Sequence, residues 1–243
     1  MKIADINCML GIWPTKLTCF PTVGELYKTM DSYHIGNCVA YHSAAVWNTM
    51  PGNMRIKKIA EDSSGRITPC YVLAPNLGSS EIPEAGALLS AIRSEKPAAI
   101  RLFPKTRHFS LDPFYSGDLL DVLNAAGLPV LLDRDEVNFE TLPETALAFP
   151  KIKFVLLRRG FCDSRYVIPL IRKLENIYFD CGAMLDTGLI EEIVSKYGSG
   201  RLLFGSGLPF YSPAGALSLV LYARIRDQDK ENILYENWNR IGA

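Results

Sequence analysis

Arginine and aspartate side chains stand at the ends of short apolar segments at several points in this sequence. Arg101 lies near the end of one segment, Asp133 ends a second and Arg158 ends a third. A guanidinium group is permanently charged and can bind a carboxylate or phosphate through two parallel hydrogen bonds. If the segments end at one mouth, the two arginines predict a small anionic ligand there, with Phe103 and Trp13 as apolar walls.

The same residues allow a second interpretation, in which the arginines are neutralised internally. Asp133 on the adjacent strand and Asp5 on the first strand are the expected partners of Arg158, because Asp5 should share the inward side of its strand with Asn7 and Met9. Charged side chains are found inside proteins mainly when they are paired. The sequence therefore leaves open whether Asp5, Asn7, Arg101 and Arg158 bind a ligand or form only an ion-pair network.

Three residues are candidates for a general acid or base. His42 directly follows an apolar segment, and an unperturbed histidine pKa of about 6.5 suits proton transfer. Asp133 and Asp180 end segments of the same kind and are the carboxylate candidates. A lone histidine in such a place is more often exposed or hydrogen-bonded than catalytic. The short segment also leaves open whether Asp180 or its neighbour Cys181 points inward.

The elements that position these residues alternate between apolar runs and segments of helical period, as in a parallel sheet covered by helices. Eight strands are predicted, and their near-continuous apolar character is typical of strands buried on both faces. The predicted strands are 3–9, 36–41, 67–73, 98–103, 129–133, 153–158, 177–181 and 201–206. This alternation predicts an α/β fold.

The predicted helices carry apolar stripes at three- and four-residue spacing. They are 23–32, 84–96, 114–126, 139–149, 165–174, 189–197 and 214–226, with a last amphipathic segment at 229–240 that closes the bottom or side of the fold. Thr22 and Glu25 form a capping box at the first helix. A second helix at 54–60 is short and weak, and the region 43–65 is predicted to be mostly loop.

Eight strands, eight helices and the lack of a G-x-G-x-x-G or Walker-type loop favour a closed (β/α)8 TIM barrel over an open sheet. A chain of 243 residues with 48% hydrophobic residues fits one such barrel, a single domain over residues 1–243.

Composition limits the classes of partner. The chain has 26 basic and 26 acidic residues, and such a balance predicts no nucleic-acid partner. It shows no signal-peptide pattern and no apolar run of about 18 residues, so we expect a soluble cytoplasmic protein without a membrane partner. Its six cysteines form no C-x-x-C pair and are expected to be reduced and mostly buried.

Three segments carry a resemblance to a known family. DINCMLG at 5–11 matches D-x-H-x-H-x-G in spacing, RLLFGSGLP at 201–209 matches R-x-L-F-G-S-D-x-P, and NWNRI at 237–241 is similar to N-x-x-R-L. Two further strands follow the same order, because GLPVLLD at 127–133 resembles G-L-P-V-x-x-H and KFVLLRRG at 153–160 resembles K-x-V-x-x-H-x-G. The chain resembles the amidohydrolase-related, metal-dependent hydrolases, which are TIM barrels.

The resemblance implies five metal-ligand positions, and their residue types differ from those of the family. This chain has Asn7, Met9, Asp133, Arg158 and Gly207 there. Methionine and glycine offer no hard ligand, and arginine repels a cation. The resemblance therefore implies a barrel without a metal or other cofactor.

Two functional hypotheses follow. In the first, the barrel mouth binds a small anionic molecule. In the second, the chain is a metal-independent enzyme, a lactonase-like hydrolase or a decarboxylase of a carboxylated small molecule, as among relatives of the resembled family. An unpaired carboxylate in the mouth would favour the enzyme. The sequence does not specify the oligomeric state, and a homo-oligomer is compatible with it.

Overall fold

The computed structural model describes residues 1–15, 19–20, 22–78, 81–158 and 163–242. Eight parallel strands follow one another around a barrel in chain order. They are β1 (Ala4–Leu10), β2 (Asn37–His42), β3 (Ile67–Leu73), β4 (Ala99–Leu102), β5 (Pro129–Asp133), β6 (Lys153–Leu157), β7 (Ile177–Asp180) and β8 (Leu202–Leu203).

The barrel closes between β1 and the residues that follow β8. The Ile6 amide donates to the Phe204 carbonyl at 3.0 Å, and the Met9 amide donates to the Leu208 carbonyl at 2.9 Å. The predicted α/β barrel is confirmed, and each predicted strand lies within a few residues of its observed position.

Helices cover the outside of the barrel. They are α1 (Val23–Ser32), α2 (Thr49–Glu61), α3 (Ala85–Glu95), α4 (Pro113–Ala126), α5 (Leu142–Ala148), α6 (Ser164–Lys173), α7 (Leu189–Tyr197), α8 (Pro213–Leu221), α9 (Asp227–Glu231) and α10 (Asn237–Gly242). A π-helical turn, Asn232–Glu236, joins the last two. Within the described part of the chain, no helix is both long and apolar enough to cross a membrane.

Helix α2 corrects the sequence prediction, which placed mostly loop in this region. The helix has 13 residues and starts at Thr49, so Pro51 stands in its first turn, where a missing N–H is tolerated. Gly52 lets α2 pack closely against the segment around Ala45 that precedes it, because a Cβ on residue 52 would lie 2.2 Å from the Ala45 backbone. Asn53 is buried and pairs with both backbone polar groups of Val72 at 2.8 Å. Tertiary contacts therefore outweigh the weak local helix signal.

The hydrophobic core has two layers, one inside the barrel and one between the strands and the helices. Inward residues include Ile6, Val39, Val72, Leu131, Val155 and Leu203. The C-terminal helical segment adds Trp238 and Ile241 to the inner layer beside Ala4 and Ala98, at the N-terminal ends of the strands. As the sequence predicted, this segment closes the barrel bottom.

The cysteine prediction is confirmed where the structure describes it. Cys8, Cys38 and Cys70 are buried thiols. Cys162 and the last two positions of the KFVLLRRG motif lie outside the described residues.

Candidate functional site

A cavity of about 250 Å³ lies at the C-terminal ends of the strands. We call it the mouth pocket. Its lining includes four of the predicted ligand-binding and catalytic residues together with aromatic walls. These are Asn7, Arg101, Asp133 and Arg158, with Trp13, Tyr41, Phe103, Phe210 and Tyr211. Met9 and Gly207 line the same pocket, so all five positions that the motif comparison singled out converge there.

The centre of the pocket is a carboxylate held by two guanidinium groups. Arg101 Nη2 donates to Asp133 Oδ2 in a short hydrogen bond, and Arg158 Nε donates to Asp133 Oδ1 at 2.6 Å. Arg101 Nη1 donates to the side-chain oxygen of Asn7 at 2.8 Å. Burial alone would raise the pKa of Asp133, but the charges of Arg101 and Arg158 hold it below its usual value. These three ionised side chains therefore leave one excess positive charge.

Arg101 is the more enclosed of the two arginines. Only 3% of its surface is exposed, and its guanidinium lies 4.6 Å from the ring centre of Tyr41 and 5.3 Å from that of Phe103. Arg158 is more open, with 28% of its side chain exposed. An external anion therefore reaches Arg158 more easily than Arg101.

Arg158 is held in an unusual backbone conformation. Its φ is +47°, in the left-handed region that side chains rarely adopt. Its amide donates to Asp180 Oδ2 at 3.2 Å, and its Nη1 donates to the Tyr211 hydroxyl at 2.6 Å. The backbone and the guanidinium are thus anchored at opposite ends, which aims the side chain across the mouth toward Asp133.

Two buried donors in the pocket lack an acceptor. Among the residues that the structure describes, Asn7 Nδ2 and Arg101 Nε have no hydrogen-bond partner. Leaving a buried donor unpaired costs about 1 to 3 kcal/mol, so such groups usually mark a place where a ligand or an ordered water binds.

Asp5 does not take the predicted place. The register of β1 against β2 shifts between Asp5 and Cys8, because a bulge inserts an extra residue. Asp5 therefore faces the outer side with Cys8, where it accepts from the Ser206 hydroxyl and from the Ser206 amide at 2.9 Å. It does not line the mouth pocket. The expected pairing of Asp5 with Arg158 is wrong, since simple alternation fails across a bulge.

Asp180 lies inside the barrel, whereas Cys181 packs in the outer layer. The Asp180 carboxylate is fully buried and accepts amide hydrogens from Gly182 at 2.6 Å, Gly205 at 3.0 Å and Arg158. Burial, with a smaller effect of the Asp5 charge, raises the pKa of Asp180 to about 7. The side chain does not line the mouth pocket, so it supports the site from below.

His42 is separated from the other candidates. It lines a different depression, with Trp47 and Arg55, and its Nδ1 accepts from the Ala44 amide at 3.1 Å. Burial and, to a smaller extent, the charge of Arg55 lower its pKa. The described geometry therefore gives His42 a local capping role at the end of β2.

Sequence reasoning missed three aromatic residues of the pocket: Tyr41, Phe210 and Tyr211. Tyr41 shares the inward side of β2 with Val39, so side-chain alternation could have found it. Phe210 and Tyr211 lie in the loop after β8, where no periodic signal exists. Over the ranges that the structure covers, no group of three or more His, Cys, Asp or Glu residues could hold a metal ion.

The fold and the position of the pocket define an α/β barrel with its site at the C-terminal ends of the strands, where barrel enzymes have theirs. The family model described as amidohydrolase matches residues 76–240, and the chain belongs to this family. No curated protein matches the sequence significantly.

Several solved structures share the fold. A TIM-barrel protein from Bordetella bronchiseptica, described as uncharacterized, superposes with a TM-score of 0.78 at 15% identity, covering 99% of this chain and 98% of that one. The 5-carboxyvanillate decarboxylase from Sphingomonas paucimobilis has a TM-score of 0.76 at 13% identity, with 99% and 98% covered. The 2,6-dihydroxybenzoate decarboxylase from Rhizobium has a TM-score of 0.71 at 11% identity, with 100% and 98% covered.

Proposed function

We propose that this chain binds a small carboxylate with a flat apolar portion in the mouth pocket, and that it does so without a divalent ion. The observation that carries the proposal is the local excess of positive charge where Arg101 and Arg158 share the carboxylate of Asp133; the two other carboxylates that line the pocket, Asp135 and Glu136, form no ion pair with either arginine among the described residues. An anion in a confined, partly buried pocket is stabilised by such a charge more strongly than in water. The unpaired donors of Asn7 and Arg101 lie behind the pocket surface, so they add hydrogen bonds to its oxygens once these side chains shift toward the pocket.

Aromatic walls favour a ring as the apolar portion. Trp13 lies 6.4 Å from Phe103 and 6.1 Å from Phe210 between ring centres, and Tyr41 lies 5.6 Å from Phe103. These rings are inclined to one another by 37° to 76°, so they form an angled apolar wall that a further ring can contact face-on or edge-on. Two enzymes that share the fold are decarboxylases named for aromatic carboxylates, and this agrees with the proposed ligand class.

The donor set at the five family positions does not fit a divalent ion. Asp133 already accepts from two guanidinium groups, and Arg158 adds a fixed positive charge. Gly207 has a φ of +76°, and a Cβ there would lie 2.9 Å from the Tyr211 ring, so an aspartate would not fit without movement of that ring. The proposed site therefore uses guanidinium groups where a metal would otherwise supply positive charge.

A metal-independent decarboxylase or lactonase-like hydrolase is the second candidate, and the decarboxylases of the same fold favour it. It needs a proton-transferring group that reaches the ligand. Asp133 lines the pocket but is paired with two arginines, whereas Asp180 and His42 lie outside it. Asp135 and Glu136 also line the pocket: Asp135 is exposed, and a solvated carboxylate needs no catalytic explanation, whereas the half-buried Glu136 accepts from the Thr106 amide at 2.9 Å and from the Thr106 hydroxyl. Binding is therefore the better-supported function.

Thermal unfolding with benzoate, inorganic phosphate and acetate, in buffer containing a chelator, tests the proposal. Benzoate at 100 times its dissociation constant should stabilise the protein by about 2.7 kcal/mol. Arg158→Met should abolish the shift, whereas Arg66→Met, which removes a surface arginine paired with Asp31, should retain it. The proposal fails if no carboxylate shifts the transition, or if the shift survives in Arg158→Met. Release of CO₂ from benzoate in the same samples, or hydrolytic ring opening of an aryl lactone supplied in its place, would decide for the enzyme.

A further inference from the structure

A second, larger cavity lies beside the mouth pocket. Its volume is about 740 Å³, and Asp135, Arg158 and Tyr211 line both cavities. The hydrogen bond from Arg158 to the Tyr211 hydroxyl and the position of the guanidinium 5.2 Å from the Tyr211 ring centre form the partition between them. We call this second space the side cavity.

The described walls of the side cavity are mostly apolar and small. Ala183 and Leu185 come from the loop after β7, and Ala216 and Leu219 come from helix α8. Leu185 has 61% of its surface exposed, an unusual state for a leucine at the wall of a cavity. These walls can cover an apolar group but offer it few hydrogen bonds.

Apart from the exposed Asp135, the main polar side chains around the side cavity already have partners. The Ser206 hydroxyl donates to Asp5, the Ser212 hydroxyl accepts from the Ala214 amide at 3.3 Å, and Arg134 Nε donates to Asp163 at 2.7 Å. A polar occupant would compete with these bonds. An apolar occupant breaks none of them.

We propose that the side cavity holds the apolar remainder of the ligand whose carboxylate binds in the mouth pocket, so that the ligand is an extended aryl carboxylate of two joined rings. The inference rests on the proposed function. It follows from the volumes, because small-molecule sites usually measure roughly 300–1,000 Å³ and the mouth pocket alone is smaller than that. The side cavity lies within this range, and the Arg158–Tyr211 partition is the shared wall that separates the two spaces.

Arg158 takes on a second role in this arrangement. Its guanidinium binds the carboxylate, and the Tyr211 ring that it holds in place is the part of the partition that the second ring must pass. Tyr211 is 49% exposed, so its ring can turn toward solvent and admit the second ring in exchange for its hydrogen bond from Arg158. The partition of Arg158 and Tyr211 therefore determines which ligand length is accepted, whereas the guanidinium groups recognise the carboxylate.

Calorimetric titration with benzoate and with biphenyl-4-carboxylate tests the inference. Burial of a second phenyl ring should make biphenyl-4-carboxylate bind roughly 10- to 100-fold more tightly than benzoate. Gly215→Leu, on the α8 wall where an added Cβ meets no atom within 4 Å, should remove that gain and leave benzoate binding unchanged. Ala183→Leu, on the opposite wall, should do the same.

The matched control is Gly86→Leu in helix α3, where an added Cβ also meets no atom within 4 Å. It should keep the full gain. If benzoate binds but the second ring adds nothing, or if the gain survives both cavity-filling variants, the side-cavity inference is overturned and the mouth proposal stands. If neither acid binds, the mouth proposal fails and the inference fails with it.

Discussion

Asp133→Asn is the substitution that most directly tests the charge arrangement of the mouth pocket. It keeps the shape of the side chain and removes the one negative charge between Arg101 and Arg158. Arg158 is 28% exposed and can turn toward water, but Arg101 is 4% exposed and has no such escape. Removing one partner of a buried ion pair costs about 3 to 5 kcal/mol, and we expect the lower end, about 3 kcal/mol.

Urea and thermal unfolding measure this cost. For a chain of this size, about 3 kcal/mol corresponds to a melting point roughly 6 to 12 °C lower. The pKa of Asp133 is held below its usual value, so the carboxylate stays charged and the cost should be constant between pH 8 and pH 5. Asp135→Asn, an exposed neighbour without an ion pair among the described residues, should change stability by less than about 0.5 kcal/mol.

A double-mutant cycle makes the test independent of general damage to the fold. Arg101→Met added to Asp133→Asn removes the stranded charge, so the double variant should be more stable than the sum of the two single effects predicts. If Asp133→Asn unfolds within about 1 kcal/mol of the wild type, or if the two effects simply add, the reasoning about a buried charge triad is refuted.

Three further substitutions test separate features. Asp180→Asn should flatten the dependence of the free energy of unfolding on pH. Burial raises the pKa of Asp180 to about 7, so its contribution to stability is full at low pH and falls by at most about 1.4 kcal/mol per pH unit between pH 4 and 7. An unchanged slope in urea titrations at several pH values would contradict this. Asn53→Leu should cost about 2 to 4 kcal/mol in unfolding experiments, because it strands an amide and a carbonyl of β3. Gly207→Ala should cost about 1 to 3 kcal/mol through its positive φ, whereas Gly200→Ala, with open space around its Cβ, should have little effect; equal effects would rule out backbone strain.

The sequence predicted the barrel well because buried parallel strands leave a clear apolar signal. It also placed Arg101, Asp133 and Arg158 at one mouth, because residues at the ends of parallel strands must converge there. The position of Asp5 could not be predicted, since a bulge depends on how β1 pairs with β2 and not on local composition. Tyr211 was missed because its place follows from an irregular loop.

Helix α2 shows the same limit for a whole element. Its first turns contain a proline, a glycine and an asparagine, which are poor helix formers. Gly52 is needed for close approach to Ala45, and Asn53 replaces a neighbouring strand as the partner of Val72. These advantages exist only in the folded chain, so no single-sequence pattern contains them.

The last strand of the barrel, β8, is short, so other hydrogen bonds must hold the barrel closed beside it. Strand β8 pairs with β7 through only two residue pairs, and beyond it the amides of Gly205 and Ser206 donate to the carboxylates of Asp180 and Asp5. The pKa values of both acids are raised, chiefly by burial. The closure around β8 thus combines backbone hydrogen bonds with bonds to carboxylates that titrate, whereas the five-pair ladder between β5 and β6 uses backbone bonds that do not. Hydrogen exchange at the amides of Gly205 and Ser206 should therefore depend on pH in two ways. Hydroxide catalyses the exchange of every amide, and at these two amides local opening also changes as Asp180 and Asp5 are protonated.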